Sequence, residues 1–192
     1  MATHFCAFRR FRARQVSLAR WQRPENIARV NDPADRQTLR VLFVCMGNIC
    51  RSPAAEVVFR SMITEAGLEH RIEIDSAGTI GYHSGNPPDR RMSATLKARG
   101  YHPHGSARQV RLADFDEFDL ILPMDDENEA DLRSMARDAR RAEIRPFSSF
   151  CSDNPLGHVP DPYYGGGKGF EQVADIVEDG CRGLLEHLRG RL

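Results

Sequence analysis

Residues 40–52 read Arg-Val-Leu-Phe-Val-Cys-Met-Gly-Asn-Ile-Cys-Arg-Ser, and this stretch decides the fold. The apolar, β-branched run at 41–44 predicts a buried strand, because it is short and contains no polar residue. Ser52 and Pro53 predict the start of a helix, as a serine N-cap followed by a proline in the first turn. A strand that ends at Cys45 and a helix that begins at Ser52 enclose a short loop, and the chemistry is expected in that loop.

Strand and helix patterns alternate along the rest of the chain. Further strands are predicted at 72–75, 118–122 and, more weakly, 143–147; helices are predicted from 52 to about 66 and at 89–99, 126–137 and 170–188. This alternation is typical of an α/β fold in which a parallel sheet carries helices on its faces. We therefore expect one α/β domain that spans residues 39–192.

Composition limits the class of protein. A chain of 192 residues is long enough for one domain with a substantial core. With 41% hydrophobic and 28% charged residues it resembles a soluble globular protein, and no apolar run approaches the ~20 residues of a membrane helix. Five cysteines without regular spacing argue against a secreted disulfide framework. We expect a cytoplasmic protein without a membrane span.

Residues 1–38 show none of these patterns. The first 24 residues contain six arginines and no acidic residue. A transit peptide, or an arm that binds nucleic acid or lipid, has this composition. An unstructured leader fits better, because the whole chain is biased toward arginine, with 25 arginines against two lysines. We predict a basic, disordered extension at 1–38 and expect no nucleic-acid partner.

The loop after the first strand, Met46-Gly47-Asn48-Ile49-Cys50-Arg51, has the features of an anion site. It follows the carboxyl end of a parallel strand, where open α/β sheets bind ligands, and it precedes a helix N-terminus, whose free N–H groups attract phosphate. Gly47 and Asn48 tolerate the positive φ angles that direct successive amides toward one anion. Arg51 offers a planar fork for two phosphate oxygens.

Cys45, at the end of the strand, is the candidate nucleophile. The positive field of the loop favours its thiolate form, and the Ser52 hydroxyl is able to donate a hydrogen bond to that thiolate. The pattern C-x5-R-S between a strand and a helix therefore predicts that Cys45 attacks a phosphate held by Arg51 and the loop amides. A structural cysteine beside a surface arginine is the competing interpretation.

Five segments of the chain resemble the low-molecular-weight protein tyrosine phosphatase family. They are VLFVCMGNICRSPAAE at 41–56, IDSAGTIGYHSGNPPD at 74–89, SARQ at 106–109, FDLILPMD at 118–125 and VPDPYYGGGKGFEQV at 159–173. The resemblance implies a small doubly wound domain whose four-stranded parallel sheet is flanked by helices on both faces. It also implies hydrolysis of phosphotyrosine in proteins, or of other aryl phosphates, through a cysteinyl-phosphate intermediate. Inorganic phosphate would be the product, and no metal or other cofactor is expected.

The same resemblance assigns further site residues. Asp161, between Pro160 and Pro162, would be the general acid that protonates the leaving phenolate. Without the resemblance, a turn-forming aspartate beside proline would explain Asp161 better. The remaining assignments are Tyr82, Tyr163 and Tyr164 as aromatic walls of the substrate slot, and Asn48, Ser52 and Ser76 as the network that supports the phosphate loop.

Two features leave questions open. The family often has His-x-Ala-Arg before the third strand, whereas His104 stands one position earlier in this chain, so its support of the phosphate loop is not decided. Cys50 lies in the same loop as Cys45. It is either a redox partner that forms a disulfide with oxidised Cys45, or a small apolar residue that packs under the loop.

Two other functions compete with the phosphatase. An arsenate reductase on the same fold would need further cysteines to carry a disulfide away, and only Cys151 and Cys181 follow Cys50. A phosphate-binding module without activity would not need an acid at Asp161. Both alternatives are weaker than the phosphatase.

Overall fold

The computed structural model describes residues 38–136, 141–163 and 166–192. The predicted extension at 1–38 lies outside the described residues, apart from residue 38, and so does Tyr164. The boundary between extension and domain therefore stays a prediction.

Four parallel strands form one sheet in the order β2-β1-β3-β4. They are β1 (Leu39–Cys45), β2 (Ile72–Gly78), β3 (Leu120–Pro123) and β4 (Glu143–Ile144). The chain runs from β1 to β2 on one side and then to β3 on the other, so the carboxyl end of β1 is the switch point where such sheets bind ligands. The predicted four-stranded parallel sheet is confirmed. The last strand is shorter than predicted, because a 3-10 helix at Phe147–Phe150 follows it closely.

Helices cover both faces of the sheet, as predicted. They are α1 (Arg51–Glu65), α2 (Arg90–Ala98), α3 (Asp114–Glu117), α4 (Asp126–Met135) and α5 (Gly167–Arg189). Successive side chains of a strand point to opposite faces. Phe43 accordingly packs in the apolar cluster with α1, α2 and α5, whereas Leu42 and Val44 pack in the cluster with α3 and α4. In the described ranges, no helix is long and apolar enough to cross a membrane.

The larger core is centred on Phe43, which is fully buried in β1, one of the two central strands. Its ring makes edge contacts with Phe59 of α1 and Phe147 of the 3-10 helix, at centroid distances of 5.8 and 5.9 Å. Gly183 of α5 lets the 3-10 helix approach closely, because a Cβ at this position would lie 2.1 Å from the carbonyl oxygen of Phe150. The packing of α5 against the 3-10 helix thus depends on a glycine at position 183.

We expect the substitution Gly183→Ala to lower the free energy of unfolding by about 1–3 kcal/mol, because the new methyl group overlaps backbone atoms that cannot rotate away. Denaturant titration of the variant and the wild type measures the difference. Gly190→Ala is the matched control, since a Cβ there would make an ordinary contact of 3.5 Å with His187. A Gly183→Ala protein as stable as the control would contradict the close packing.

Candidate active site

Cys45 ends β1 and lies at the bottom of the loop that connects β1 to α1. It is 2% exposed. Its Sγ lies 3.0 Å from Oγ of Ser52 and 3.3 Å from the backbone N–H of Asn48, which donates to it. The predicted contact of Ser52 with Cys45 is therefore present, whereas the predicted N-cap role of Ser52 is wrong. Helix α1 begins one residue earlier, at Arg51, and the Ser52 hydroxyl contacts Cys45 and the carbonyl of Ala77 instead.

The loop curls through a left-handed residue. Asn48 has φ 55°, and among the described non-glycine residues it alone has a positive φ. The prediction of a positive φ is thus confirmed at Asn48 and wrong for Gly47, whose φ is not positive. A Cβ at Gly47 would lie 2.9 Å from Cδ2 of His83, so a larger residue there would require the His83 side chain to shift.

The side chain of Asn48 holds this conformation through three hydrogen bonds of 2.9 Å. Its amide nitrogen donates to the hydroxyls of Ser52 and Ser76, and its amide oxygen accepts from the backbone N–H of Arg108. Ser76 in turn donates to the carboxylate of Glu56, at 2.7 Å. The three predicted support residues, Asn48, Ser52 and Ser76, therefore meet in one network. Glu56 belongs to it as well and was not predicted.

His104 does not take part in this network. It is exposed, and its Nδ1 lies 2.9 Å from the carbonyl oxygen of His102, two residues away. The sequence left open whether His104 supports the loop. In the structure Arg108 and Glu56 contact the network, and His104 contacts His102 instead.

The chain that follows β2 supports the backbone of the loop. The N–H groups of Thr79 and Ile80 donate to the carbonyls of Cys45 and Met46, at 2.9 and 3.0 Å. Gly78 allows this approach, since a Cβ there would lie 2.7 Å from the carbonyl oxygen of Met46. The first residues of the loop are therefore held by backbone contacts from one side.

Arg51 is buried behind the loop, and its guanidinium joins two carboxylates. Nη1 donates to Oδ2 of Asp125 and, at 3.2 Å, to the carbonyl of Val159, while Nη2 donates to Oδ2 of Asp161 at 2.7 Å. Burial alone would lower the pKa of Arg51, but the nearby Cys45 and the two carboxylates outweigh it, so that the pKa rises. Arg51 therefore keeps its charge in a nearly solvent-free position.

Asp125 was missed by sequence reasoning. It lies two residues after the end of β3 and caps α4, where its other carboxylate oxygen accepts from the N–H of Asn128 at 2.8 Å. The available signal was its place at the end of a parallel strand beside β1, which puts it at the same edge of the sheet as Cys45.

Asp161 reaches the site from the segment between β4 and α5. Its Oδ2 binds Arg51, and its Oδ1 accepts from the backbone N–H of Tyr163 at 2.9 Å. The segment is anchored on the amino-terminal side of Asp161, where Val159 donates to the carbonyl of Met124 at 2.8 Å. The side chain of Asp161 is 30% exposed, so it lies between the buried guanidinium and solvent.

A cavity of about 50 Å³ opens above the loop. It is lined by Cys45, Met46, Gly47, Ile49, Cys50, Arg51, His83, Asp161 and Tyr163. Tyr163 thus occupies the predicted position in the wall. Tyr82 does not line the cavity, because its side chain extends into solvent with 85% exposure and packs its ring edge-on to His83 at 4.9 Å. His83, which was not predicted, takes the place in the wall that was expected for Tyr82.

The described cysteines fall into two groups. Cys45 and Cys50 line the cavity, whereas Cys151 and Cys181 do not. Burial, with smaller contributions from Asp89 and Cys45, raises the pKa of Cys50 well above its usual range, so Cys50 is a neutral thiol. Burial raises the pKa of Cys181 as well, and this thiol packs against the backbone of α1.

Comparison with known proteins agrees with this geometry. Residues 40–191 match the family model of the low molecular weight phosphotyrosine protein phosphatases. The chain is 45% identical to the low molecular weight protein-tyrosine-phosphatase YfkJ of Bacillus subtilis, over 79% of this chain and 96% of that protein.

Solved structures of the same fold extend the comparison. A protein tyrosine phosphatase from Entamoeba histolytica, crystallised with Hepes in the active site, superposes with a TM-score of 0.75 at 42% identity, over 81% of this chain and 100% of that one. A Drosophila arginine phosphatase superposes with a TM-score of 0.74 at 30% identity, over 78% and 98% of the two chains. The chain therefore belongs to the low molecular weight phosphotyrosine protein phosphatase family and is a phosphatase of this class.

Proposed function

We propose that the protein hydrolyses phosphotyrosine monoesters in proteins through a cysteinyl-phosphate intermediate. The observation that carries the proposal is the meeting of Cys45, Arg51 and Asp161 at one cavity of about 50 Å³, although the chain separates Asp161 from the others by more than half of its length. A nucleophile, a cation and an acid are the three groups that such a reaction requires.

In the first half of the reaction, Sγ of Cys45 attacks phosphorus and the bond between phosphorus and the aryl oxygen breaks. The leaving oxygen takes a proton from the carboxyl group of Asp161 and departs as a neutral phenol. The Ser52 hydroxyl, 3.0 Å from Sγ, stabilises the attacking thiolate by a hydrogen bond. The loop amides and the Arg51 guanidinium bind the other phosphate oxygens, on which negative charge is spread in the transition state.

In the second half, a water molecule attacks the phosphorus of the cysteinyl phosphate. The Asp161 carboxylate, now lacking its proton, takes one from that water, and the bond between sulfur and phosphorus breaks. Inorganic phosphate leaves and the Cys45 thiolate is restored. One carboxyl group thus serves as acid and then as base, with no change in the oxidation state of sulfur.

Arg51 connects phosphate binding with the position of the acid. Its two Nη atoms hold Asp125 and Asp161. A phosphate monoester would compete for the same N–H groups, since bidentate binding to Arg is strong for phosphate and carboxylate alike. Binding of substrate would then free Oδ2 of Asp161 while the other oxygen remains tied to the Tyr163 N–H. The carboxyl group would stay beside the phosphate, able to face the leaving oxygen.

The lining of the cavity supports an aromatic substrate. Ile49 and Tyr163 contribute apolar surface beside the nucleophile, and a flat aryl ring buries more of that surface than a short aliphatic phosphoester does. A phosphoarginine substrate is the alternative that the similarity to the Drosophila arginine phosphatase suggests. Such a substrate would place a cationic leaving group against the same apolar wall. We therefore expect phosphotyrosine peptides to be hydrolysed faster than phosphoarginine peptides of equal sequence.

The arsenate reductase alternative receives less support. Disulfide transfer from Cys45 would need a thiol at the cavity and a further thiol to receive the bond. Cys50 meets the first condition. Cys151 and Cys181 do not line the cavity, and Cys181 is completely buried, so a relay through them would require the helices to separate.

The nucleophile is tested with Cys45→Ser. We expect no measurable hydrolysis of para-nitrophenyl phosphate without added metal, because the serine hydroxyl stays protonated and cannot attack. Binding of inorganic phosphate, measured by calorimetry, should persist because Arg51 and the loop amides remain. Cys151→Ser, at a half-buried thiol away from the cavity, is the control and should keep full activity. Substantial turnover by Cys45→Ser would refute the proposed mechanism.

The acid is tested with Asp161→Ala and a series of aryl phosphates. Loss of the proton donor should slow hydrolysis of esters with poor leaving groups by ~10²–10⁴, and should have less effect on activated phenols, which need little protonation. Steady-state kcat and KM for each ester measure this dependence. Asp153→Ala, at an exposed aspartate of the preceding segment, should behave as the wild type. An equal loss for all esters would mean that Asp161 has a structural role only.

For Cys50 we propose a disulfide with oxidised Cys45. Peroxide would oxidise the Cys45 thiolate to a sulfenic acid and be reduced to water; the Cys50 thiol would then displace hydroxide, and water would leave with the thiol proton. Because the pKa of Cys50 is raised, its thiolate and hence the disulfide should form faster as pH rises.

Mass spectrometry of peptides after peroxide treatment should find Cys45 joined to Cys50, and a dithiol should restore activity. In Cys50→Ala, recovery should be poorer, since Cys45 proceeds to the sulfinic acid. A disulfide between Cys45 and Cys151 or Cys181 would contradict this proposal and favour the reductase.

A further inference from the structure

Arg91, in the first turn of α2, contacts the segment that carries Asp161. Its Nη1 donates to the carbonyl oxygen of Tyr163 at 3.2 Å. Its guanidinium carbon lies 5.2 Å from the centre of the Tyr163 ring and 4.7 Å from the centre of the Phe170 ring in α5. One cation thus holds both the backbone and the side chain of Tyr163, by a hydrogen bond and by cation–π contact.

Asp89 fixes the direction of this guanidinium. Its two carboxylate oxygens accept from Nε and Nη2 of Arg91, at 3.2 and 3.0 Å. The backbone N–H of Asp89 donates to the carbonyl of Ile49, in the phosphate loop, at 2.7 Å. Arg91 is therefore oriented by a residue that is itself bonded to the loop around the phosphate site.

Together these contacts form a closed series around the cavity. The backbone N–H of Tyr163 donates to Oδ1 of Asp161. Oδ2 of Asp161 accepts from Arg51, at the end of the phosphate loop. The members of the series are, in order, Ile49, Asp89, Arg91, Tyr163, Asp161 and Arg51. The anchor of the acid segment at Val159 precedes Asp161, whereas Arg91 contacts the segment on the other side.

We propose that Arg91 is a positioning residue that keeps the Asp161 carboxyl group within reach of the leaving oxygen. The inference rests on the proposed function, since it matters only if Asp161 is the general acid. The contact of Arg91 with Tyr163 becomes most important when phosphate takes the N–H groups of Arg51, because the Tyr163 N–H then remains as the hydrogen-bond donor to the carboxyl group of Asp161. Arginine suits this position better than lysine, since its planar group makes a bidentate bond to Asp89 while it stacks on a ring.

The competing interpretation is that Arg91 only packs α2 against Phe170 and contributes to stability. The two interpretations differ in the kind of activity that is lost. A positioning role changes proton transfer to the leaving group, whereas a packing role changes all substrates equally through the amount of folded enzyme.

The experiment compares Arg91→Ala, Arg91→Lys and the control Arg90→Ala, at an exposed neighbour with no role in the site. We expect Arg91→Ala to lower kcat for esters with poor leaving groups by about 10- to 100-fold, which is typical of a misplaced catalytic group, and to change activated esters much less. Competitive inhibition by inorganic phosphate should be unchanged, because the phosphate loop is intact. Arg91→Lys should recover part of the loss, and it carries the same comparison if Arg91→Ala does not fold.

A double-mutant cycle completes the test. If Arg91 acts through Asp161, Arg91→Ala should cause no further loss in the Asp161→Ala background. Additive losses, or an equal loss for all esters, would overturn the inference. If Asp161→Ala shows leaving-group dependence and Arg91→Ala does not, only the role of Arg91 is wrong. If Asp161→Ala shows none, the proposed acid and this inference both fail.

Discussion

The left-handed conformation of Asn48 is the constraint on which the site depends. A φ of 55° is uncommon for a non-glycine residue, although asparagine tolerates it better than most, and here the side-chain amide of Asn48 is hydrogen-bonded on both its nitrogen and its oxygen. This turn of the backbone brings the Asn48 N–H toward Cys45 and lets α1 begin directly behind the loop. The geometry around the sulfur is therefore fixed by a network of side-chain hydrogen bonds that runs from Asn48 to Glu56.

The parallel sheet explains how distant parts of the chain meet at that loop. Cys45 ends the central strand β1 and Asp125 follows the neighbouring strand β3, so both lie at one edge of the sheet without any special bending of the chain. Asp161 arrives from a segment outside the sheet, and hydrogen bonds at Val159 fix it to the end of β3 and to Arg51. Elements of regular structure thus position Cys45 and Arg51, while an irregular segment carries Asp161.

Much of this arrangement was predictable from the sequence, because the strand, the glycine-containing loop and the helix start lie next to each other in the chain. Cys45, Arg51 and Asn48 could be recognised from that local pattern alone. Asp161 could be assigned only through the family resemblance, since an aspartate between prolines is also a common turn.

The remaining errors concern side chains whose partners are remote in sequence. The bond of Ser52 to Cys45 was expected, but Ser52 also looked like an N-cap, because the local pattern cannot show that α1 begins at Arg51 and that the hydroxyl reaches the carbonyl of Ala77. Asp125 was not singled out, because its contact with Arg51 depends on the order of the strands in the sheet. Tyr82 and His83 are adjacent, and no pattern tells which of the two side chains faces the cavity.

The burial of Arg51 between two carboxylates also affects how tightly the site holds any small anion. Both Nη atoms of Arg51 already donate to carboxylate oxygens, of Asp125 and Asp161, and the arginine side chain is only 3% exposed. An anion that enters must therefore displace an internal ion pair instead of a hydration shell, and the loss of that pair offsets part of the free energy of binding. The site then retains a small anion less tightly than an unpaired guanidinium of the same shape would, and an anion that departs is replaced at once by a group of the protein itself.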